Sequence, residues 1–160
     1  MINYKQPGDA VEPEGPGLKV ICHICNDSGK WGKGFVVAVS KKFPKAEQEY
    51  RAAGSSLALG SVQFVEVAPD IVVANMIAQR DIFPLKDGSA KGCPPLRYDA
   101  LYECLIKVGA YAASKSASIH APKFGAGLAG GKWEIIECLV EKVFVKDFSL
   151  QVTIYEPDII

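Results

Sequence analysis

The 160 residues carry 18 Lys plus Arg against 18 Asp plus Glu, for a formal net charge of zero, and 49% of them are hydrophobic. That length and apolar content match one globular domain, residues 1–160, with a single sizeable core and no second domain. Zero net charge excludes a broad attraction to nucleic acid or to a membrane surface, so any anionic partner has to be recognised locally.

The opening MINYKQPGDAVEPEGPG has no basic segment followed by an apolar stretch, and no window approaches the roughly 18 continuous apolar residues of a membrane span. A cytoplasmic protein is expected. The cysteines, Cys22, Cys25, Cys93, Cys104 and Cys138, are odd in number and sit mostly in apolar surroundings, which suits reduced core thiols better than a disulfide framework.

In chain order, residues 2–4 predict a short strand, and the Pro/Gly-rich stretch up to Gly17 a loop. Residues 18–23 form a continuous apolar run of the kind found in strands buried on both faces. Residues 35–42 and 44–53 read as helices, the second with Pro44 in its first turn. Residues 62–67 and 71–77, joined by Pro69-Asp70, predict a hairpin. Residues 78–96, with Pro84, Gly88, Gly92, Pro94 and Pro95, read as a long loop, unusual enough in a compact domain to suggest function.

Beyond that loop, Tyr98, Leu101, Leu105, Val108 and Ala112 are spaced 3, 4, 3 and 4 apart, the pattern of a helix with one buried stripe. A short strand at 118–122, a glycine-rich loop at 124–132, a helix at 133–144 and a last strand at 150–155 complete the chain. Strand and helix alternate rather than segregate, which predicts a three-layer α/β/α fold with a central mixed, largely parallel sheet.

On such sheets ligands bind beyond the carboxyl ends of the strands, where loops enter helices. Two loops qualify, NDSGKWGKG at 26–34 and FGAGLAGGKW at 124–133. Gly32, Gly34, Gly125, Gly127, Gly130 and Gly131 leave their backbone N–H groups unobstructed near a helix N-terminus, an arrangement that binds phosphate. Two of them on neighbouring strands suit a diphosphate. G-x-x-x-x-G-K-[ST] is absent. Residues 125–130 spell G-x-G-x-x-G, but they follow a late strand and lack the acidic residue about 20 positions on, which argues against a dinucleotide fingerprint.

Gly8-Asp9 after a short strand, an apolar strand running into H-x-C-N-x-x-G-x-W-G-x-G, F-P-K-A-E at 43–47 and a later G-x-G-L-x-G-G-x-W loop together resemble a macro domain, the ADP-ribose-binding fold, across residues 2–155. The branch they are most similar to holds the terminal ADP-ribose protein glycohydrolases, the yeast ADP-ribose 1″-phosphate phosphatase and small bacterial relatives.

The resemblance implies roles position by position. Asp9 matches the acid that accepts a hydrogen bond from the adenine amino group, Asn26 a position facing the distal ribose, and Trp31, Gly32, Lys33 and Gly34 the loop beside the diphosphate and that ribose. Phe35 opens the following helix. Phe124, Gly125, Ala126, Gly127, Leu128, Ala129 and Gly130 correspond to the loop whose amides hold the diphosphate. In the similar phosphatase a histidine at the place of His23 is implicated in catalysis; read without that likeness, His23 is a neutral imidazole bonded inside the core. His120 has no matching role.

Two positions depart from the pattern. Where the glycohydrolases have an attacking lysine and an assisting aspartate, this chain has Gln79 and Ala129, and neither an amide nor a methyl group can do that chemistry. Slipping the alignment would bring in Arg80 or Lys86. With the covalent route doubtful, the expectation is hydrolysis by a positioned water, or binding without turnover. His23, Asn26 and Asp27 are the catalytic candidates, with Gln79 and Asp81 within possible reach. Asp27 reads equally as a turn carboxylate.

Cys22 and Cys25 also spell C-x-x-C. With no second pair, and with residues three apart on a strand pointing to opposite faces, no metal site is expected from them. No cofactor is expected. The resemblance implies ADP-ribose or an ADP-ribosylated macromolecule as the partner, and the chain is expected to be a monomer.

Overall fold

The apolar run that begins at Leu18 becomes the central strand because both of its faces are covered. A computed structural model describes residues 1–81 and 95–157, so Lys86, Cys93 and most of the 78–96 loop lie outside the described residues. Among the described residues the strands are β1 (Ile2–Lys5), β2 (Lys19–Asn26), β3 (Val62–Ala68), β4 (Ile71–Gln79), β5 (Ser118–Ala121) and β6 (Val152–Tyr155). The helices are α1 (Phe35–Lys42), α2 (Pro44–Ala53), α3 (Tyr98–Ser114) and α4 (Trp133–Val140).

The sheet order is β1-β6-β5-β2-β4-β3. Every neighbouring pair is parallel except β3 with β4, the expected hairpin. Alternation along β2 and β4 divides the core. Val20, Cys22, Val72, Ala74, Met76 and Ala78 pack on the face shared with Leu101, Leu105 and Val108 of α3 and Ile136 and Val140 of α4. Ile21 and Val73 face Val39 of α1 and Ala46 of α2, while Cys25 and Ile77 face Tyr50 of α2. Fully burying a residue such as Ile21 contributes roughly 1.5–3 kcal/mol, which is why three-layer coverage stabilises so apolar a strand. Cys22 and Cys25 thus belong to opposite faces.

β2 continues three residues past His23, where the sequence reading ended it, because β4 offers ladder partners as far as Gln79. A bulge there pairs Asn26 with Gln79 after Cys25 has paired with Ile77, and the chain turns away into the first loop. α4 passes into a π-helical stretch at Glu141–Asp147, so the expected 133–144 helix changes winding in its last turn. β2 and β5 end side by side, and both glycine-rich loops leave from that edge.

Candidate functional site

The first loop is organised by Asn26. Its Oδ1 accepts the N–H groups of Ser28 at 3.0 Å and Lys30 at 3.2 Å and the Ser28 hydroxyl at 2.8 Å, while its Nδ2 donates to Lys30 O at 2.6 Å. The Tyr50 hydroxyl closes on the same oxygen from α2. Asn26 therefore holds the loop, with one amide N–H left over. Asp27 ties the loop to the end of β4, its N–H donating to Gln79 O at 3.0 Å and its Oδ1 accepting Asp81 N–H at 2.8 Å. Trp31 is half-buried rather than exposed, its indole N–H donating to Val36 O at 3.0 Å and its ring lying against His23 and Tyr50. Gly34, at φ 86°, turns the chain into α1.

The second loop folds on itself through Gly131 N–H to Gly125 O at 2.7 Å and Gly130 N–H to Gly127 O at 3.0 Å. A Cβ on Gly131 would stand 2.6 Å from Gly125 O, so only glycine lets the two strands of the loop approach this closely. From Gly125 to Ala129 the backbone N–H groups find no acceptor among the described residues. Such a run of open donors offers an anion several hydrogen bonds at once.

The two loops enclose adjoining cavities. One of about 500 Å³ is lined by Asn26, Lys30, Trp31, Gly32 and Tyr50, together with Ile24, Lys33, Val36, Gln79 and Leu128. The other, about 290 Å³, shares those last five residues and adds His23, Gly34, Phe35, Phe124, Gly125, Gly127 and Ala129, with Pro122 and Lys123 at its edge. Three lysines reach this cleft. Lys30 and Lys123 are paired with Asp81 and Glu156, whereas Lys33 has no ion-pair partner among the described residues.

His23 is buried, with Nε2 2.6 Å from Asn75 Oδ1 and its ring edge-on to Trp31 and Phe35. Burial pushes its pKa down to about 4, against a smaller upward pull from the Asn75 hydrogen bond, so the ring is neutral near pH 7. Burial raises the Cys25 thiol, keeping it protonated. His120 lies outside the cleft, bonded to Ser118 Oγ at 2.7 Å and Tyr155 Oη at 2.8 Å, and burial with the nearby Lys19 charge lowers it to about 4 as well.

The structure thus gathers most of the expected residues into one cleft. Asp27, Ala126 and Gly130 line neither of these two cavities. Asp9 is exposed after β1, its carboxylate accepting Val11 N–H at 3.1 Å, and it lines neither of the two cavities. Sequence reasoning missed Ile24, Lys30, Val36, Tyr50 and Asn75. The pair Ala46 and Tyr50, four apart on the buried side of α2, was the available signal for Tyr50. Among the described residues no group of three or more His, Cys, Asp or Glu could hold a metal, and no helix is long and apolar enough to cross a membrane.

No family model matches the chain. It spans only 16% and 14% of the lengths of the chromodomain-helicase-DNA-binding protein 1-like relatives from mouse and Danio rerio, to which it is 29% identical. It is 30% identical to an ADP-ribose 1″-phosphate phosphatase of Candida albicans over 95% of this chain and 99% of the relative. Among solved structures, a protein of unknown function from Bacteroides thetaiotaomicron superposes at TM-score 0.89 with 46% identity, covering 97% of each chain. A macrodomain protein from Streptomyces coelicolor superposes at TM-score 0.82 with 41% identity over 98% of this chain and 99% of that one. With that identity over both whole lengths, and with the parallel sheet and its paired loops already described, the chain belongs to the macrodomain family.

Proposed function

We propose that residues 1–160 form one monomeric, cytoplasmic macro domain that binds ADP-ribose in the cleft between the two loops and hydrolyses an ADP-ribose derivative at the distal ribose. The observation that carries this reading is the run of open N–H groups from Gly125 to Ala129 beside two adjoining cavities that Trp31, Gly32, Lys33 and Gly34 also line. A diphosphate fits the open amides, Lys33 supplies a cation, and the larger cavity, walled by Trp31 and the remaining N–H of Asn26, takes the distal ribose. Asp9 is the candidate acceptor for the adenine amino group.

With Gln79 and Ala129 in place of a nucleophile and its helper, the reaction is attack by water. For an ADP-ribose 1″-phosphate, water adds to phosphorus, the P–O bond to the ribose breaks, and the products are ADP-ribose and inorganic phosphate. Loop amides stabilise the developing charge, and His23 or Asp27 takes the water's proton. The Candida albicans relative carries that activity in its name, which favours the phosphate ester over a protein adduct.

A non-catalytic ADP-ribose reader is the second reading, favoured by the absence of an amine nucleophile at Gln79 and of a carboxylate at Ala129. Calorimetric titration with ADP-ribose, ADP and AMP tests the binding site, and preference for ADP-ribose over ADP is expected. Incubation with ADP-ribose 1″-phosphate and with mono-ADP-ribosylated protein then separates enzyme from reader. Binding without phosphate or free ADP-ribose release leaves the reader.

A further inference from the structure

His23 and Asn75 are ladder partners on β2 and β4, on the sheet face that also carries Ile21 and Val73. Asn75 is fully buried, and the orientation of its amide is set by its far side. Nδ2 donates to Ala46 O and to Gln63 Oε1, both at 3.1 Å, and the Gln63 amide in turn donates to Glu49 O at 3.1 Å. In this relay Ala46 O of α2 and Gln63 Oε1 therefore take both amide protons of Asn75, and Glu49 O of α2 in turn holds Gln63 in place. Asn75 Oδ1 is left as an acceptor, and the close contact with His23 Nε2 requires the imidazole proton to sit on that nitrogen. The other ring nitrogen, Nδ1, then carries a bare lone pair. It is a buried side-chain atom without a partner among the described residues, in a residue that lines the smaller cavity beside Lys33 and Gln79.

We propose that Asn75, held by Ala46 and Gln63, is a positioning residue that fixes His23 in the Nε2–H tautomer, so that Nδ1 accepts a hydrogen bond from the hydroxyl or water occupying the cleft. A buried acceptor without a donor is unfavourable, and a bound hydroxyl relieves that cost. The tautomer stands on the relay alone; that the hydroxyl belongs to ADP-ribose or its attacking water rests on the proposed function.

The direction of proton movement follows. The ring can receive a proton at Nδ1, but its one proton is committed to Asn75 and is not available to a leaving group. His23 therefore serves the attacking water rather than the departing ribose oxygen. Cys25, Trp31, Phe35 and Asn75, the groups in contact with the ring, are uncharged, and the charged residues lining the same cavity are Lys33 and Lys123.

The protein has two histidines, so ring nitrogen-15 spectra are uncrowded. In the ligand-free wild type near neutral pH, His23 is expected to show a protonated Nε2 and a bare Nδ1 without exchange between tautomers, and the Nδ1 signal should move on adding ADP-ribose. Asn75→Leu should release the tautomer and lower kcat on ADP-ribose 1″-phosphate about tenfold or more with KM within about threefold. Asn75→Asp, which keeps the acceptor, should restore the Nε2–H form and move the acid limb of the pH profile upward.

A wild-type His23 protonated on Nδ1, or averaging between tautomers, overturns the proposal without any variant having to fold. So does an unchanged tautomer in Asn75→Leu, or an Nδ1 signal that stays still while ADP-ribose binds. If ADP-ribose does not bind at all, the functional reading falls, and the ligand-free spectra still decide the role of Asn75.

Discussion

The Tyr50 hydroxyl sits between two acceptors on one residue, 2.6 Å from Asn26 O and 2.7 Å from Asn26 Oδ1, and so joins the buried side of α2 to the first turn of the loop that walls the cleft. Tyr50 is fully buried and packs with Cys25, Leu57 and Ile77. Burial raises its pKa, so the hydroxyl keeps its proton and acts as donor. The geometry of a glycine-containing loop thus depends on a helix 24 positions away.

Tyr50→Phe removes this tie and little volume. Loss of about 1–2 kcal/mol in chemical denaturation is expected, since a buried acceptor loses its donor, together with a several-fold weaker affinity for ADP-ribose in calorimetry. Unchanged affinity would detach the first loop's order from binding.

Asp27 has two separable roles, and two substitutions part them. Asp27→Asn keeps an oxygen for the Asp81 N–H, so stability should stay within about 0.5 kcal/mol, while loss of the carboxylate lowers hydrolysis roughly 100-fold if it takes the water's proton. Asp27→Ala should in addition lower stability by about 1 kcal/mol. Full turnover in Asp27→Asn, measured as phosphate release, would leave Asp27 a clamp only.

In the second loop the glycines are not equivalent. At Gly131 an added Cβ meets Leu96 Cδ2 at 2.3 Å and Gly125 O at 2.6 Å, so Gly131→Ala should cost about 1–3 kcal/mol, with a matching fall in melting temperature. At Gly127 a Cβ meets nothing within 4 Å, so Gly127→Ala should leave stability within about 0.5 kcal/mol. Any loss of ADP-ribose affinity in Gly127→Ala then reports ligand contact alone.

The two histidines make stability pH-dependent. In the folded protein both are lowered to about 4, His23 by burial and His120 by burial and Lys19, whereas in the unfolded chain they protonate near 6.5. Between those values the unfolded state binds more protons, so stability rises with pH across that window. The contribution is fully present above about pH 6.5 and is lost as pH falls toward 4, on the order of 3 kcal/mol for His23. A melting temperature steady near neutrality and falling below about pH 6.5 is expected, with a shallower slope in His23→Gln.

Pattern alone determined a good deal. Strand and helix follow from periodicity and from Pro44, Gly34 and the Pro69-Asp70 turn, which act locally, so α1 and α2 fall where the sequence places them. The two glycine-rich loops at the ends of β2 and β5 were likewise legible, because glycine clusters after an apolar run are a local signal. Two features escaped a local reading: β2 runs on to Asn26 because β4 pairs with it, and α4 ends in a π-helical stretch through Asp147.

Only tertiary structure decided how the site is held. Asn26 looks from sequence like a residue facing the ligand, yet donors from Ser28, Lys30 and Tyr50 fill its oxygen. His23 looks like a lone core histidine, and its tautomer depends on Asn75, 52 positions on, which in turn depends on the carbonyl of Ala46. Lone pairs and protons are assigned by whatever lies within 3 Å or so after folding. Sequence spacing carries no trace of such long-range partners, so it could name the residues at the strand ends but not what each has left to offer a ligand.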